Sequence, residues 1–182
     1  MRIIAGQWRG RQIKALVGQQ TRPTADRARE TLFSMVTSRL GGCTGLAVAD
    51  LFAGSGALGL EALSRGASHC LFIEQDRAAI AAIRDNVTAL GAGTQADVRQ
   101  GAADRPGIAA KPFDLIFIDP PYGTINLAQL LDDLTCQGWT HDATIISVEI
   151  GHGAAPAAAS CSPLVSRAVG KAMLHLFVAT AQ

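Results

Sequence analysis

The segment Asp119-Pro120-Pro121-Tyr122 is the most specific chemical motif of this 182-residue chain. It follows a short, mainly apolar run that predicts a strand ending where open α/β sheets bind ligands. Two consecutive prolines fix φ and remove two N–H donors, so the Asp119 and Pro120 carbonyls are expected to point outward as acceptors. With the Asp119 carboxylate they suit an amine, whose lone pair they would localise for attack. Tyr122 offers a flat face for a base taken out of its helix. The predicted catalytic residues are Asp119, Pro120, Pro121 and Tyr122, and the alternative is a rigid turn without chemistry.

A glycine-rich turn between two predicted elements is the second candidate site. Gly54 and Gly56 would let the backbone approach a ligand, and Gly59 would let the next helix pack closely on the sheet. Glu74 ends the following predicted strand, where a carboxylate can accept hydrogen bonds from both ribose hydroxyls. Asp50 would repel a pyrophosphate but could hold an ammonium group, which favours S-adenosylmethionine over a nicotinamide dinucleotide. The predicted cofactor-binding residues here are Asp50, Phe52, Ala53, Gly54, Ser55, Gly56, Gly59, Glu74, Gln75 and Asp76. A purely structural turn is the other interpretation.

The elements that must position these residues follow an alternating strand–helix pattern, typical of a parallel sheet. Strands are predicted near 46–51, 69–74, 96–99, 113–118 and 144–150, with helices near 57–65, 77–90 and 126–136. The runs 164–169 and 173–179 are too close for a crossover helix and predict an antiparallel hairpin. The fold class is therefore α/β, Rossmann-like and mostly parallel, with helices on both faces and a closing hairpin. By fold analogy this arrangement is typical of S-adenosylmethionine methyltransferases.

The amino-terminal region precedes that core. Residues 2–16 predict a short β hairpin or extended arm, and a helix is expected from Ala25 to about Arg39, with Thr24 as N-cap and Gly41-Gly42 as its end. The low-complexity segment 151–162 is interpreted as a loop. We expect one domain over 1–182, with the arm and helix at 1–40 and the catalytic core at 44–182.

Charge is distributed unevenly although the net charge is only +1. Eight cations and two acids up to Arg39 give that region +6 and leave −5 for the remainder. A cationic arm suits phosphates, because neutralising them releases counterions. The predicted nucleic-acid-binding residues are Arg2, Arg9, Arg11, Lys14 and Arg27; the alternative is a solvated basic face.

Composition narrows the class of protein further. With 48% hydrophobic and 17% charged residues, no membrane-length apolar run and no secretory signal, a soluble cytoplasmic protein is expected. The four cysteines, Cys43, Cys70, Cys136 and Cys161, are far apart, so we predict buried, reduced thiols and no metal site.

With these elements placed, the chain closely resembles the RsmD family of small-subunit ribosomal RNA guanine-N2 methyltransferases. The resemblance spans nearly the whole chain and rests on segments 2–6, 9–11 and 22–33, with support from 50–61, 119–122 and Gly170-Lys171. It implies S-adenosylmethionine as cofactor and 16S ribosomal RNA as partner, within an assembling small subunit, with guanine 966 as the target. It also implies that Arg22 and Thr24 lie beside the cofactor or target.

The sequence leaves the adenine contact and the role of two arginines open. The broader methyltransferase pattern has an acid or amide after the third strand, whereas Ala102 stands here, so adenine recognition falls to backbone near Ala102 or to Asp104. Arg27 and Arg29 either lie beside the cofactor or target, as Arg22 and Thr24 are expected to, or are ordinary helix-surface charges. The rival functions are adenine-N6 methylation of DNA, a nicotinamide-dependent dehydrogenase, and a non-catalytic RNA-binding protein.

Overall fold

The computed structural model describes residues 1–16, 23–121, 123, 125–151 and 153–180, without the side chains of Pro23 and Thr24. These residues form one sheet with helices on both faces. The helices are α1 (Pro23–Leu40), α2 (Ala57–Ser64), α3 (Arg77–Leu90) and α4 (Leu127–Cys136). The strands are β1 (Ala47–Leu51), β2 (His69–Glu74), β3 (Ala96–Gln100), β4 (Leu115–Ile118), β5 (Ile145–Ile150), β6 (Cys161–Val169) and β7 (Ala172–Ala179).

The strand order is β3-β2-β1-β4-β5-β7-β6. β1 to β5 run parallel, while β7 pairs antiparallel with both β5 and β6. The chain therefore winds outward from β1 in one direction and from β4 in the other. This reversal leaves a crevice outside the carboxyl ends of β1 and β4, where open α/β sheets bind ligands. The predicted α/β class, mostly parallel sheet and closing hairpin are confirmed.

The inner strands are buried on both faces because each face is covered by helices. β1 and β4 consist almost entirely of buried residues, as expected for strands of a doubly covered parallel sheet. One cluster packs α1, α2 and α3 against the sheet, and a second packs α4 and Trp139 against the other face. In the described residues no helix is long and apolar enough to cross a membrane.

The amino-terminal arm, residues 1–16, is docked on the core. Ile3, Trp8 and Ile13 belong to the first hydrophobic cluster. The buried Glu61 carboxylate of α2 accepts hydrogen bonds from the backbone N–H groups of Ile4 (2.7 Å) and Ala5 (3.0 Å). A single antiparallel bridge between residues 2 and 12 is the regular β pairing that the arm contains. The arm is thus a fixed part of the fold.

Three predictions about local structure are wrong. α1 begins at Pro23, so Thr24 lies inside its first turn instead of forming the N-cap; proline is favoured at a first helical position because its missing N–H would have no partner there. Cys161 and Ser162 belong to β6, not to the preceding loop. Cys136, at the end of α4, is exposed, whereas the other three cysteines are buried as predicted.

Candidate active site

The glycine-rich turn and the Asp119 turn lie side by side at the sheet's crevice. Leu51 and Ile118 are partners in the β1–β4 ladder, so the residues that follow them leave the sheet together. The backbone N–H of Asp119 donates to the carbonyl of Leu51 over 3.5 Å. The structure therefore brings together the two sites that the sequence placed about 70 residues apart.

Positive φ angles shape the glycine-rich turn. Gly54 (φ 55°) and Gly56 (φ 78°) adopt the left-handed region, and Phe52 (φ 62°) is the one non-glycine residue of the described chain that does so. Such a conformation costs ~1–3 kcal/mol for a residue with a side chain and is often kept at ligand sites. A Cβ on Gly59 would lie 2.3 Å from the Phe72 ring, so the predicted close packing of α2 on the sheet is confirmed.

Asp50 is 1% exposed, and one of its carboxyl oxygens accepts a backbone hydrogen bond while the other has no described donor. Its Oδ2 accepts a hydrogen bond of 2.9 Å from the backbone N–H of Gly59, in the first turn of α2. No described group donates to its Oδ1, and the residue lines a cavity. Burial raises the pKa of Asp50 to about 8; the Gly59 hydrogen bond opposes this rise and the charges of Asp119 and Glu74 add to it.

Glu74 holds the loop from the end of β2. Its Oε2 accepts from the Gly54 N–H over 2.9 Å, and its Oε1 accepts from the N–H groups of Gln75 (2.8 Å) and Asp76 (2.9 Å). A carboxylate has about four acceptor positions, so one remains for a ligand hydroxyl. Asp76 caps α3 by accepting from the Ala79 N–H, which gives this predicted ligand residue a structural task.

Two adjoining cavities open over the carboxyl ends of the strands. The Arg29 cavity, of about 310 Å³, is lined by Arg29, Asp50, Gly54 and Ser55 among others. The Glu74 cavity, of about 450 Å³, is lined by Glu74, Gln75, Asp76 and Ala103 among others. Phe52, Gly54, Asp119 and Glu149 line both, so the two form one cleft of a size usual for small-molecule sites.

Asp119 and Glu149 form an acidic pair at the junction of the cavities. Ile118 and Val148 are partners in the β4–β5 ladder, which places the next residue of each strand beside the other. Surrounding protein and the negative charge of Glu149 raise the pKa of Asp119 to about 7, and burial raises that of Glu149. Asp119 is open to the cleft, where water partly screens the repulsion between the two carboxylates.

Arg29 is a site residue that the sequence left unresolved. It is 5% exposed, so it is not a helix-surface charge. Its Nη2 donates to the Arg2 carbonyl (2.8 Å) and to the Asp26 carboxylate (2.9 Å), while no described atom accepts from its buried Nε. Burial lowers its pKa, opposed by Asp26 and Glu61. A buried donor without a partner costs free energy that a ligand acceptor would recover.

Of the remaining predicted site residues, some line the cleft and others lie outside the described part of the chain. Ala53 and Ser55 line the Arg29 cavity. Ala103, the neighbour of Ala102, lines the Glu74 cavity, while the Ala102 carbonyl accepts from the Arg105 N–H within a turn. Arg22 and Tyr122 lie outside the described residues, as does the side chain of Thr24.

The predicted RNA-contacting cations are not equivalent. Lys14 forms an ion pair of 2.6 Å with Asp85, and the Arg11 guanidinium donates to the Ala89 carbonyl, so both attach the arm to α3. Arg2 lies 3.8 Å from Asp26 but its side chain is 65% exposed. Arg9 and Arg27 are exposed, and no described acid pairs with either. Arg9 and Arg27 are therefore, of the predicted RNA-contacting cations, the most available for a phosphate contact.

Glu149 is the other residue that sequence reasoning missed. The available signal was an acid near the end of a strand predicted over 144–150, next to the strand that ends before Asp119. Met1 also lines the Arg29 cavity and Leu16 the Glu74 cavity; no motif marks either residue, since only the docking of the arm brings them there.

Comparison with known proteins shows the same architecture elsewhere. A family model described as "Conserved hypothetical protein 95" matches residues 1–178. "Ribosomal RNA small subunit methyltransferase D" of Escherichia coli is 40% identical over 149 residues, covering 82% of this chain and 74% of that protein. "Putative rRNA methyltransferase YlbH" of Bacillus subtilis is 44% identical over 135 residues, 72% of each protein. The solved structure "Putative methyltransferase yhhF from Escherichia coli" superposes with a TM-score of 0.88 at 36% identity, over 100% of this chain and 99% of that one.

Proposed function

The chain belongs to the RsmD family, whose model is described as conserved hypothetical protein 95, and from that premise we propose a guanine-N2 methyltransferase acting on 16S ribosomal RNA. The proposed methyl donor is S-adenosylmethionine, and the proposed substrate form is an assembling small ribosomal subunit in the cytoplasm. The E. coli relative is named for small-subunit ribosomal RNA. Guanine 966 remains the target that the resemblance implies.

One observation supports this proposal most strongly: the acceptors suited to an amine adjoin the cleft suited to the donor. Asp119 lines both cavities, between Asp50 on one side and Glu74 on the other. An enzyme that transfers a group to an amine must hold both partners at one place in near-attack geometry. A structural glycine turn does not require a neighbouring pair of carboxylates.

The described residues fit the charged ends of the proposed cofactor. The Asp50 Oδ1 has no described donor and can accept from an ammonium group, and the Arg29 Nε has no described acceptor and can donate to a carboxylate. Glu74 can accept from a ribose hydroxyl. When bound, S-adenosylmethionine would supply a methyl group on its sulfonium sulfur, and transfer of that methyl to the amine would leave the thioether S-adenosylhomocysteine.

The target amine would be held by Asp119 and Pro120. Their carbonyls and the Asp119 carboxylate accept its N–H groups, which directs the nitrogen lone pair and provides a place for the proton that methylation releases. A raised pKa makes Asp119 a better proton acceptor than an ordinary aspartate. Tyr122 is proposed to stack on the base.

The basic arm is proposed to bind the phosphate backbone of RNA. Because the arm is docked on α2 and α3, its exposed cations have fixed positions relative to the cleft. Arg9 of the arm and Arg27 of α1 are the strongest candidates for phosphate contacts and Arg2 is a further one, while Arg11 and Lys14 contribute mainly by attaching the arm.

Adenine-N6 methylation of DNA is the second candidate, because Asp119 and Pro120 would accept either amine equally well. A dehydrogenase is disfavoured, since the Asp50 carboxyl already occupies the Gly59 N–H in the first turn of α2, a donor of the kind that a pyrophosphate needs at a helix N-terminus.

The deciding experiment incubates the protein with methyl-labelled S-adenosylmethionine and either immature small ribosomal subunits or duplex DNA. After digestion to nucleosides, label should appear in N2-methylguanosine from the subunits. Label in N6-methyladenosine or in the DNA would replace the substrate assignment, and no label on either would remove the enzyme assignment.

A further inference from the structure

The carboxylate of Glu149 occupies a central position in the cleft. Besides the Arg29 and Glu74 cavities it lines a third, the Pro121 cavity, of about 210 Å³. Among the described residues Glu149 alone lines all three. A group placed there can contact a ligand on the far side of the Asp119 turn as well as one inside the cofactor cleft.

The Pro121 cavity has the chemistry expected of a pocket for a flat base. Its walls combine the apolar side chains of Pro120, Pro121, Ile125, Leu127 and Ile150 with polar groups in nearly equal share. Extruded bases are usually held between apolar or aromatic side chains and identified by hydrogen bonds along the Watson–Crick edge. Glu149 is the one ionisable residue among the described lining of this cavity.

The Glu149 carboxylate is available for a ligand. No described N–H or side chain donates a hydrogen bond to it, and no described cation lies within ion-pair distance. It is half-buried at the end of β5, beside the equally unpaired Asp119 carboxylate. Two adjacent carboxylates without donors repel one another, so a ligand with two neighbouring N–H groups would be favoured.

We propose that Glu149 selects guanine by accepting a hydrogen bond from its N1–H, while Asp119 and the Pro120 carbonyl hold the adjacent N2 amine. The inference rests on the function proposed above and adds the origin of its base specificity. Guanine carries N1–H and N2–H donors side by side, whereas adenine has an acceptor at N1 beside its amine. A carboxylate only accepts, so it attracts the first edge and repels the second.

The test separates the N1–H contact from the amine itself. 2-Aminopurine keeps the amine at position 2 but has an acceptor at N1. Small subunits reconstituted from ligated 16S RNA would carry guanine or 2-aminopurine at the position that the wild-type protein labels. We expect wild-type kcat/KM to favour guanine by ~10–100-fold, the discrimination usual for one well-placed base contact.

In Glu149→Gln the preference should fall toward unity, because the amide can donate to the N1 acceptor of 2-aminopurine. Glu149→Asp should lower the rate but keep the guanine preference, since the acceptor is retained. Asp142→Asn, an exposed acid before β5, is the control and should change neither. S-adenosylhomocysteine affinity and melting temperature verify that each variant is folded.

The outcomes distinguish the two proposals. Failure of the wild-type protein to label a guanine N2 contradicts the proposed function. Wild-type guanine labelling with an unchanged preference in Glu149→Gln overturns the role of Glu149 alone. Should Glu149→Gln not fold, loss of the guanine preference in Glu149→Asp would likewise overturn it.

Discussion

The Oδ2 atom of Asp50 accepts a hydrogen bond of 2.9 Å from the backbone N–H of Gly59. This contact satisfies a first-turn N–H of α2, which has no side-chain cap at Gly56. The same carboxyl group lines the proposed cofactor cleft. One buried acid therefore stabilises the helix start and presents its second oxygen to a ligand.

Asp50 should make the stability of the ligand-free protein depend on pH. Its pKa rises from 3.8 to about 8 on folding, so between these values the folded state binds more protons than the unfolded state. Stability from this group is full below pH ~4 and is lost as pH rises toward 8. In Asp50→Asn, which keeps an acceptor for Gly59, the decline should be shallower by up to ~1.4 kcal/mol per pH unit. Urea unfolding at pH 5, 6, 7 and 8 measures it; parallel curves for the two proteins would contradict the prediction.

Replacing Asp119 should impair the chemical step more than cofactor binding. We expect Asp119→Ala to lower kcat by ~10²–10⁴-fold, as for a group that accepts a proton and orients an amine. S-adenosylhomocysteine affinity, measured by calorimetry, should change little because the contacts proposed for that ligand involve other residues. Asp142→Asn is the control. Near wild-type kcat in Asp119→Ala would exclude the proposed role.

Arg29 should recognise the carboxylate of the cofactor's amino-acid end. Arg29→Met is expected to weaken S-adenosylhomocysteine binding by ~10–100-fold, the value of a charge-assisted hydrogen bond. Binding of 5′-methylthioadenosine, which lacks that end, should stay the same. Arg27→Met, an exposed position on the same helix, is the control. Equal weakening for both ligands would point to general damage to the cleft.

The docked arm should depend on the absence of a side chain at Gly6. A Cβ there would lie 1.8 Å from the Ser64 carbonyl oxygen, whereas one at Gly10 would meet nothing within 4 Å. Both glycines have nearly the same positive φ, 83° and 81°, so Gly10→Ala isolates the conformational cost, ~1 kcal/mol. Gly6→Ala should lower the free energy of unfolding by ~2 kcal/mol or more beyond that. Equal effects in urea unfolding would show that the arm is not packed against α2 in this way.

Arg9 should contribute to the salt dependence of RNA binding. Each phosphate contact adds ~0.7–0.9 to the slope of log K against log salt. Arg9→Gln is expected to reduce that slope by ~0.7–0.9, the value of one phosphate contact. Arg39→Gln, an exposed position in the last turn of α1, should leave the slope unchanged. Filter binding to small-subunit RNA between 50 and 200 mM salt measures it, and an unaltered slope for Arg9→Gln would place the RNA elsewhere.

The amino-acid sequence by itself determined the order and type of the core elements. Strand and helix periodicity predicted these elements, and the structure adds Asp76 and Asn126 as caps and Gly91 after α3, which are local signals too because each depends on residues within a few positions. The glycine-rich turn and the Asp119 motif could be recognised for the same reason. The predicted start of α1 was wrong because two local signals compete there. The prediction took Thr24 as the N-cap, whereas the helix begins with Pro23 as its first residue.

Only the tertiary structure decided which side chains share the cleft. Arg29 lies three and four residues before the buried Leu32 and Phe33, so helical spacing places it on the buried face of α1, but only the docking of the arm supplied the Arg2 carbonyl that it contacts. Glu149 acquired its place because β5 pairs beside β4, a contact between strands about 30 residues apart. Arg11 and Lys14 looked like free cations until α3 supplied their partners. Local propensity depends on neighbouring residues. The burial and pairing of charges depend on segments far apart in the sequence, which remove one another from water only when the chain folds.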